Sequence, residues 1–211
     1  MKLQLALDDV TLLESLQITE KIQEYIDIIE IGTPLVMLEG MQAIKKVKSH
    51  FPTKEILADL KIMDSGSLLA NMAFEAGADY ITVLGVTDII TIQKVKKVAD
   101  ERDKEIVVDM IRVEDLSKKV KEMENFKINY IAVHTGADQQ QIGRHPIDDM
   151  KIISENVTNA KIAVAGGINS DTLESYTLYQ PDIVIVGTGI THADNPEVEA
   201  KAIKEALIRF Y

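Results

Sequence analysis

Short runs of β-branched and other apolar residues recur eight times along the chain, and each is followed by a longer stretch with helical periodicity. These runs predict strands at Leu3–Leu7, Asp27–Ile31, Glu55–Leu60, Asp79–Leu84, Glu105–Met110, Asn129–Val133, Lys161–Ala165 and Asp182–Val186. Successive strands begin 21 to 32 residues apart, which leaves room for one helix and two short loops each time. The chain therefore has the rhythm of a repeated strand–helix unit.

The stretches between the strands have the pattern of amphipathic helices. After Thr87, apolar residues recur at i, i+3 spacing, at Ile89, Ile92, Val95 and Val98. The last helix is predicted to begin with Asn195 as N-cap and Pro196 as its first residue. This helix places a second set of apolar residues on one side, namely Ile203, Ala206, Leu207 and Phe210.

Several predicted strands, such as Ile81–Leu84 and Ile183–Val186, are mostly apolar on both faces, as expected for a parallel sheet that helices cover. Eight such units close most economically as a (β/α)8 barrel, the TIM barrel, and an open doubly wound sheet is the alternative. No Pro-, Gly- or Ser-rich linker divides the chain. The sequence therefore predicts an α/β fold with one barrel domain over residues 1–211.

Charge and composition exclude several partners. The 23 Lys and Arg residues against 34 Asp and Glu residues give a net charge of −11, whereas nucleic acid and anionic membranes call for a basic surface. No apolar run is long enough to span a membrane, and Met1–Asp9 has no signal-peptide core. The chain has no cysteine, which fits a reducing cytoplasm, and we expect a cytoplasmic protein.

Ionisable residues gather at the predicted carboxyl ends of the strands, where barrels of this kind carry their chemistry. They are Asp8, Glu30, Asp59, Lys61, Asp64, Asp109 and His134. Asp59 and Lys61 are two residues apart, so their side chains face the same way on a strand. Desolvation penalises lone charges in a barrel mouth, so these groups must be paired or bind a ligand; a buried salt bridge without a catalytic role is the alternative.

Three of these residues suggest specific chemistry. Glu30 and Asp59 can supply hard oxygen ligands, which favour Mg²⁺ over zinc, with Mn²⁺ as a substitute. Glu30 could instead face solvent at its strand end. His134 follows an apolar run, where an imidazole can exchange a proton near neutral pH, and a structural histidine is the alternative. The remaining histidines, His50, His145 and His192, are predicted to face solvent and have no assigned role.

Two glycine clusters follow the last two predicted strands. Gly166 and Gly167 come after the seventh strand, and Gly187, Thr188 and Gly189 come after the eighth. Glycines let backbone N–H groups approach an anion, and the loops after strands seven and eight commonly hold phosphate in such barrels. Either cluster alone could be a tight turn, but the pair in consecutive units predicts a phosphate site.

The motif Asp59-x-Lys61-x-x-Asp64, with Asp8, Glu30, His134 and the paired glycines, resembles the orotidine 5′-monophosphate decarboxylase superfamily. The segments 59–66 and 134–140 carry a closer resemblance to its hexulose-phosphate synthase branch. The sister branch, the 3-keto-L-gulonate-6-phosphate decarboxylases, typically has other residues where this chain has Asp109, Ala137, Ala165 and Thr188. All four departures favour the synthase branch. The decarboxylase activity and a catalytically silent phosphosugar-binding barrel remain the alternatives.

The resemblance implies reversible condensation of formaldehyde with D-ribulose 5-phosphate through an enediolate that Mg²⁺ stabilises. It implies His134 as the base, Glu30 and Asp59 as metal ligands, and Lys61 as a hydrogen-bond donor to the enediolate oxygens. Asp8 and Asp64 would orient Lys61 and the sugar hydroxyls, while Asp109 and the glycine loops with Thr188 would bind the substrate and its phosphate.

The same resemblance implies a homodimer in which Asp64 enters the active site of the neighbouring subunit. A Schiff-base mechanism at Lys61 is the mechanistic rival. It needs a neutral amine, and we expect the flanking Asp59 and Asp64 to keep Lys61 protonated.

Overall fold

The computed structural model describes residues 1–209, in which eight parallel strands form a closed barrel surrounded by helices. The strands are β1 (Lys2–Leu7), β2 (Ile28–Ile31), β3 (Glu55–Ile62), β4 (Tyr80–Leu84), β5 (Glu105–Asp109), β6 (Tyr130–His134), β7 (Lys161–Ala165) and β8 (Ile183–Val186). Each strand pairs with the next, and β8 pairs with β1, which closes the ring. The predicted TIM barrel is confirmed, and the open sheet is excluded.

Helices connect the strands on the outside of the barrel. They are α1 (Leu12–Ile22), α2 (Thr33–Glu39), α3 (Met41–His50), α4 (Gly66–Glu75), α5 (Ile89–Glu101), α6 (Leu116–Asn125), α7 (Ala137–Gln141), α8 (Pro146–Asn156), α9 (Leu173–Thr177), α10 (Thr188–Thr191) and α11 (Pro196–Arg209). As predicted, Pro196 begins α11 and the Asn195 side chain accepts hydrogen bonds from two backbone N–H groups of its first turn. Phe210, assigned to the apolar side of this helix, lies outside the described residues.

Polar residues just before several strands fasten the amino end of the barrel. The Asp27 carboxylate accepts a hydrogen bond from the backbone N–H of Leu3, and Asp182 does the same for Ile162. Asp79, just before β4, likewise accepts a hydrogen bond from the backbone N–H of Ile56 on β3. Four strands, β2, β4, β6 and β8, were predicted to begin one residue early, at such a polar residue. In the structure this residue lies just before its strand.

Alternation along the strands divides the core into two layers. On β1, Leu3, Leu5 and Leu7 are fully buried in the layer between the barrel and its helices. The interior has its own apolar cluster, in which the rings of Tyr80 and Tyr130 meet edge to face with their centroids 5.5 Å apart. Most of the charged inward residues lie at the opposite, carboxyl end, among them Glu30, Asp59 and Asp109.

Within residues 1–209, no helix combines the length and the hydropathy needed to cross a membrane.

Candidate active site

The strands end around one open cavity of about 740 Å³ at the carboxyl end of the barrel. Ten of the eleven predicted site residues line it: Asp8, Glu30, Asp59, Lys61, Asp109, His134, Gly166, Gly167, Gly187 and Thr188. They converge because alternate residues of every strand point inward, so the last inward residues of neighbouring strands meet at the same rim. The eleventh residue, Asp64, is exposed and does not line this cavity.

The end of β3 is irregular, and this irregularity places two charged groups side by side. The register between β3 and β4 shifts between Ala58 and Ile62, and Lys61 has a left-handed φ of 44°. The Lys61 backbone N–H donates to the Thr82 hydroxyl at 2.9 Å. A bulge of this kind re-aims a side chain, and here Asp59 and Lys61 both face the cavity.

Asp59 is the most heavily hydrogen-bonded carboxylate of the site, and it is 5% exposed. Its Oδ1 accepts from the Thr82 hydroxyl at 2.7 Å. Its Oδ2 accepts from the Thr33 hydroxyl at 2.8 Å and from Lys61 Nζ at 2.5 Å. These donors fix the orientation of the carboxylate.

Two carboxylates hold the Lys61 ammonium group. Its Nζ lies 2.5 Å from Asp59 Oδ2 and 3.7 Å from Asp109 Oδ2. Burial alone lowers the pKa of Lys61, but Asp59 and Asp109 outweigh that effect, so the pKa is raised above its ordinary value. Of the two carboxylates expected to flank Lys61, Asp59 does so; within the chain the second is Asp109, from across the barrel, and not Asp64.

His134 is held in one orientation by Asp109. Its Nδ1 lies 2.8 Å from Asp109 Oδ2, and the other oxygen of Asp109 accepts the backbone N–H of Ile111 at 2.8 Å. Burial alone raises the pKa of Asp109, but the hydrogen bond from His134 and the positive charges nearby outweigh that effect. The pKa is therefore lowered below its ordinary value, and this carboxyl is ionised. An ionised acceptor assigns the proton of a neutral imidazole to Nδ1 and leaves Nε2 as a base.

Three carboxylates, Asp8, Glu30 and Asp59, come from the neighbouring strands β1, β2 and β3. Burial raises the pKa of Glu30 well above its ordinary value, and the charges of Asp59 and Asp8 raise it further. Burial also raises the pKa of Asp8, followed by repulsion from Asp59. This side of the cavity is therefore short of positive charge.

The donor set on this side fits a hard divalent cation, which would relieve the repulsion among the carboxylates. In the described part of the chain, no three His, Cys, Asp or Glu side chains are arranged to hold an ion on their own. Mg²⁺ usually takes one or two carboxylates and keeps several water ligands. Glu30 and Asp59 fit that smaller protein contribution.

The glycine loops follow β7 and β8, and they line the cavity with backbone atoms. Gly166 and Gly167 have φ values of 123° and 66°, in the region that favours glycine. A Cβ atom on Gly166 would lie 2.7 Å from the carbonyl oxygen of Thr135. Gly187 and Thr188 line the cavity where α10 begins. These loops leave main chain open to an anion at this end.

The cavity also contains polar residues that the sequence did not single out, among them Gln4, Thr33, Thr82, Arg112 and Gln140. Gln4 and Thr82 each interrupt an apolar strand, a signal that could have been used. Arg112 lies in a loop with a φ of 62°. The guanidinium ion pairs within residues 1–209 belong to Arg102, Arg144 and Arg209, so Arg112 has none there.

As predicted, the side chains of the other three histidines reach the surface. His50, His145 and His192 are exposed, and the first and last pair with surface carboxylates.

A profile of the orotidine 5′-phosphate decarboxylase / HUMPS family matches residues 1–203. The chain belongs to this family. The chain is 45% identical over 209 residues to the 3-hexulose-6-phosphate synthase of Bacillus subtilis strain 168. That match covers 99% of this chain and 100% of the relative.

Solved structures of similar proteins agree with this assignment. The crystal structure of 3-hexulose-6-phosphate synthase from Salmonella typhimurium is 50% identical, with a TM-score of 0.98 and full coverage of both chains. A 3-keto-L-gulonate-6-phosphate decarboxylase from Vibrio cholerae is 30% identical with a TM-score of 0.87, covering 100% of this chain and 98% of its own. The predicted superfamily, the likeness to the hexulose-phosphate synthases and the prediction of an enzyme are confirmed.

Proposed function

We propose that this enzyme condenses formaldehyde with D-ribulose 5-phosphate to give D-arabino-hex-3-ulose 6-phosphate, reversibly. The observation that carries the proposal is a pair of units in one cavity, His134 with Asp109 and Lys61 with Asp59. The first unit offers a base and the second a fixed cation, which proton removal next to a ketone requires. The names of the similar synthases support the same reaction.

His134 is the base of the proposed reaction. With its Nδ1 donating to Asp109, its Nε2 can take the proton from C1 of the pentulose phosphate. The electron pair left behind delocalises onto the C2 carbonyl and forms an enediolate. Asp109, which we predicted to bind substrate, accepts hydrogen bonds at both oxygens and in this proposal holds His134 in place.

Lys61 stabilises the enediolate as a hydrogen-bond donor. Its raised pKa keeps the ammonium charged, and it lies between two carboxylates that fix its position. C1 of the enediolate then forms a bond to the formaldehyde carbon while the carbonyl electron pair moves to the formaldehyde oxygen. This oxygen takes the proton that His134 removed, which gives the new hydroxyl and returns His134 to its neutral form. Asp8, at the end of β1, would orient the sugar hydroxyls.

Glu30 and Asp59 would hold Mg²⁺, with Mn²⁺ as a substitute. When bound, the cation would supply positive charge against the negative charge that develops on the substrate oxygens. Support comes from the raised pKa of Glu30, since Asp59 and Asp8 repel its charge and, in the part of the chain that the structure describes, Lys61 is the cation that acts on it. The Asp59 carboxylate is already oriented by its two hydroxyl donors.

The substrate phosphate would bind at the glycine loops that follow β7 and β8. Gly166, Gly167 and Gly187 offer main-chain donors there, and Thr188 adds a hydroxyl. Arg112, at the same cavity and free of carboxylate partners within residues 1–209, would add a positive charge. This set suits a dianionic sugar phosphate.

A Schiff base at Lys61 is the rival mechanism, and the charged state of Lys61 disfavours it. An amine with a raised pKa between two carboxylates is protonated and cannot attack a ketone. Borohydride treatment in the presence of ribulose 5-phosphate should leave the mass of the protein unchanged. A stable adduct on Lys61 would establish the Schiff-base mechanism instead.

We further propose a homodimer in which Asp64 completes the site of the partner. Asp64 is exposed in the loop after β3, and it does not line the cavity of its own chain. Large apolar side chains near it are also exposed, namely Met63, Leu68, Val86 and Ile90. A cluster of this kind is typical of a surface that another chain covers.

The test is formaldehyde consumption that depends on ribulose 5-phosphate and is lost on treatment with a chelator and restored by Mg²⁺. The second candidate, decarboxylation of 3-keto-L-gulonate 6-phosphate, is favoured by the similarity to the Vibrio cholerae enzyme, and it would release CO₂ from that substrate. Binding of the phosphosugar without either turnover would indicate a silent barrel.

A further inference from the structure

Gln4 is a buried polar residue to which the proposed reaction gives no role. It lies in the middle of β1, faces the barrel interior and is 1% exposed. Its register partners are apolar, Ile28 on β2 and Ile185 on β8. An amide in such a layer reduces stability unless its polar atoms are hydrogen-bonded.

Only one half of the Gln4 amide has a partner. Nε2 donates to Glu30 Oε2 at 2.6 Å, while Oε1 is buried without a hydrogen bond. Buried glutamines that serve the fold alone normally satisfy both ends, and a methionine would fill the same space without this cost. The amide therefore serves the one group that it contacts.

That group depends on Gln4. Within residues 1–209, the amide of Gln4 is the only donor to the Glu30 carboxylate. The other carboxylate oxygen, Oε1, has no hydrogen bond, yet it is not among the buried unpartnered atoms, so it is open to the cavity. The reverse orientation of the amide would set its oxygen against the carboxylate and repel it.

We propose that Gln4 is a positioning residue, which fixes one oxygen of Glu30 so that the other is presented to a divalent cation in the cavity. The inference rests on the cation site of the proposed function. Residues that hydrogen-bond a ligating carboxylate commonly change metal affinity about 10- to 100-fold when they are replaced. A residue that only packs the core would change stability instead.

The experiment titrates Mn²⁺ into chelator-treated protein by calorimetry, and thermal unfolding is measured on the same metal-free samples. Four proteins are compared: wild type, Gln4→Met, Glu30→Gln and Ile183→Met. Gln4→Met keeps the side-chain length and removes the donor. Ile183→Met is the matched control, since Ile183 lies in the same interior cluster on the neighbouring β8 and does not contact Glu30 through a polar atom.

We expect Gln4→Met to weaken the Kd for Mn²⁺ about 10- to 100-fold while its Tm stays equal to or above that of wild type. Ile183→Met should keep the wild-type Kd. If Gln4→Met does not fold, Gln4→Asn, whose amide is too short to reach Glu30, carries the same expectation for the Kd.

A wild-type Kd in Gln4→Met beside a weakened Kd in Glu30→Gln would overturn the role of Gln4 and leave the cation site standing. Wild-type protein that binds no Mn²⁺, or a Glu30→Gln variant that binds it unchanged, would remove the cation site itself and with it the role of Gln4.

Discussion

Replacing Asp109 with Asn should disable the proposed base while leaving the cavity intact. Asp109 is 3% exposed, and both of its oxygens accept hydrogen bonds at 2.8 Å, from Ile111 N–H and from His134 Nδ1. Asn has the same shape but only one oxygen, which the backbone N–H of Ile111 requires. Its NH₂ group then faces Nδ1 of His134 and forces that nitrogen to accept, so the proton of the neutral ring moves to Nε2. A protonated Nε2 cannot remove a proton from the substrate.

The size of the loss follows from the contribution of a positioned general base. Such a group contributes about 10²- to 10⁴-fold to the rate, which corresponds to about 2.7–5.4 kcal/mol in the barrier at ~1.36 kcal/mol per tenfold change. We expect kcat of Asp109→Asn to fall within that range. Substrate binding should change little, because Asn keeps the shape of the side chain and both oxygens of Asp109 already accept hydrogen bonds from the protein.

The assay isolates the proton transfer from carbon–carbon bond formation. Exchange of the C1 hydrogen of ribulose 5-phosphate in D₂O is followed by NMR without formaldehyde, and formaldehyde consumption is measured separately. Both rates should fall by the same factor. Asp9→Asn is the control, since Asp9 lines the same cavity but pairs with the exposed His192 and should keep both rates. Exchange by Asp109→Asn within about threefold of wild type would refute the tautomer argument, since the loss expected of a general base is far larger.

Three further predictions follow from other contacts. Burial raises the pKa of Glu30 above 4.5, so the folded chain binds that proton more tightly than the unfolded chain and its stability falls as pH rises from 4.5 through the folded pKa. Glu30→Gln should therefore have a higher Tm than wild type in metal-free protein at neutral pH and an equal Tm near pH 4; calorimetry showing a lower Tm at neutral pH would contradict this. Asp64→Ala and His134→Ala, each inactive alone, should recover partial activity on subunit mixing, whereas no recovery would argue against a shared site. Arg112→Gln should raise KM for the phosphosugar severalfold with little change in kcat, and Arg102→Gln, which alters a guanidinium paired with Glu75 away from the cavity, should leave KM unchanged; equal KM values in both variants would exclude Arg112 from binding.

The positions of the strands and most of the site could be read from the sequence. Period-two alternation and the strand–helix rhythm are local properties, so they place Asp8, Glu30, Asp59, Asp109 and His134 at inward positions near strand ends without any knowledge of the fold. The predicted strands overlap the observed ones, and β7 has the predicted bounds. The largest shift of a single boundary is at the end of β3, which extends to Ile62 through a bulge. A bulge depends on pairing with the next strand, so sequence alone did not reveal it.

Contacts across the barrel were decided only by the tertiary structure. Closure required β8 to pair with β1, which are the last and the first strand in the sequence. Lys61 was expected between two carboxylates nearby in sequence, Asp59 and Asp64; Asp59 does pair with it, but within the chain the second carboxylate is Asp109, brought from β5 by the curvature of the barrel. Gln4 and Glu30 likewise meet only because β1 and β2 pair in one register. Sequence periodicity determines which way a side chain points, whereas strand stagger and barrel closure determine what it meets.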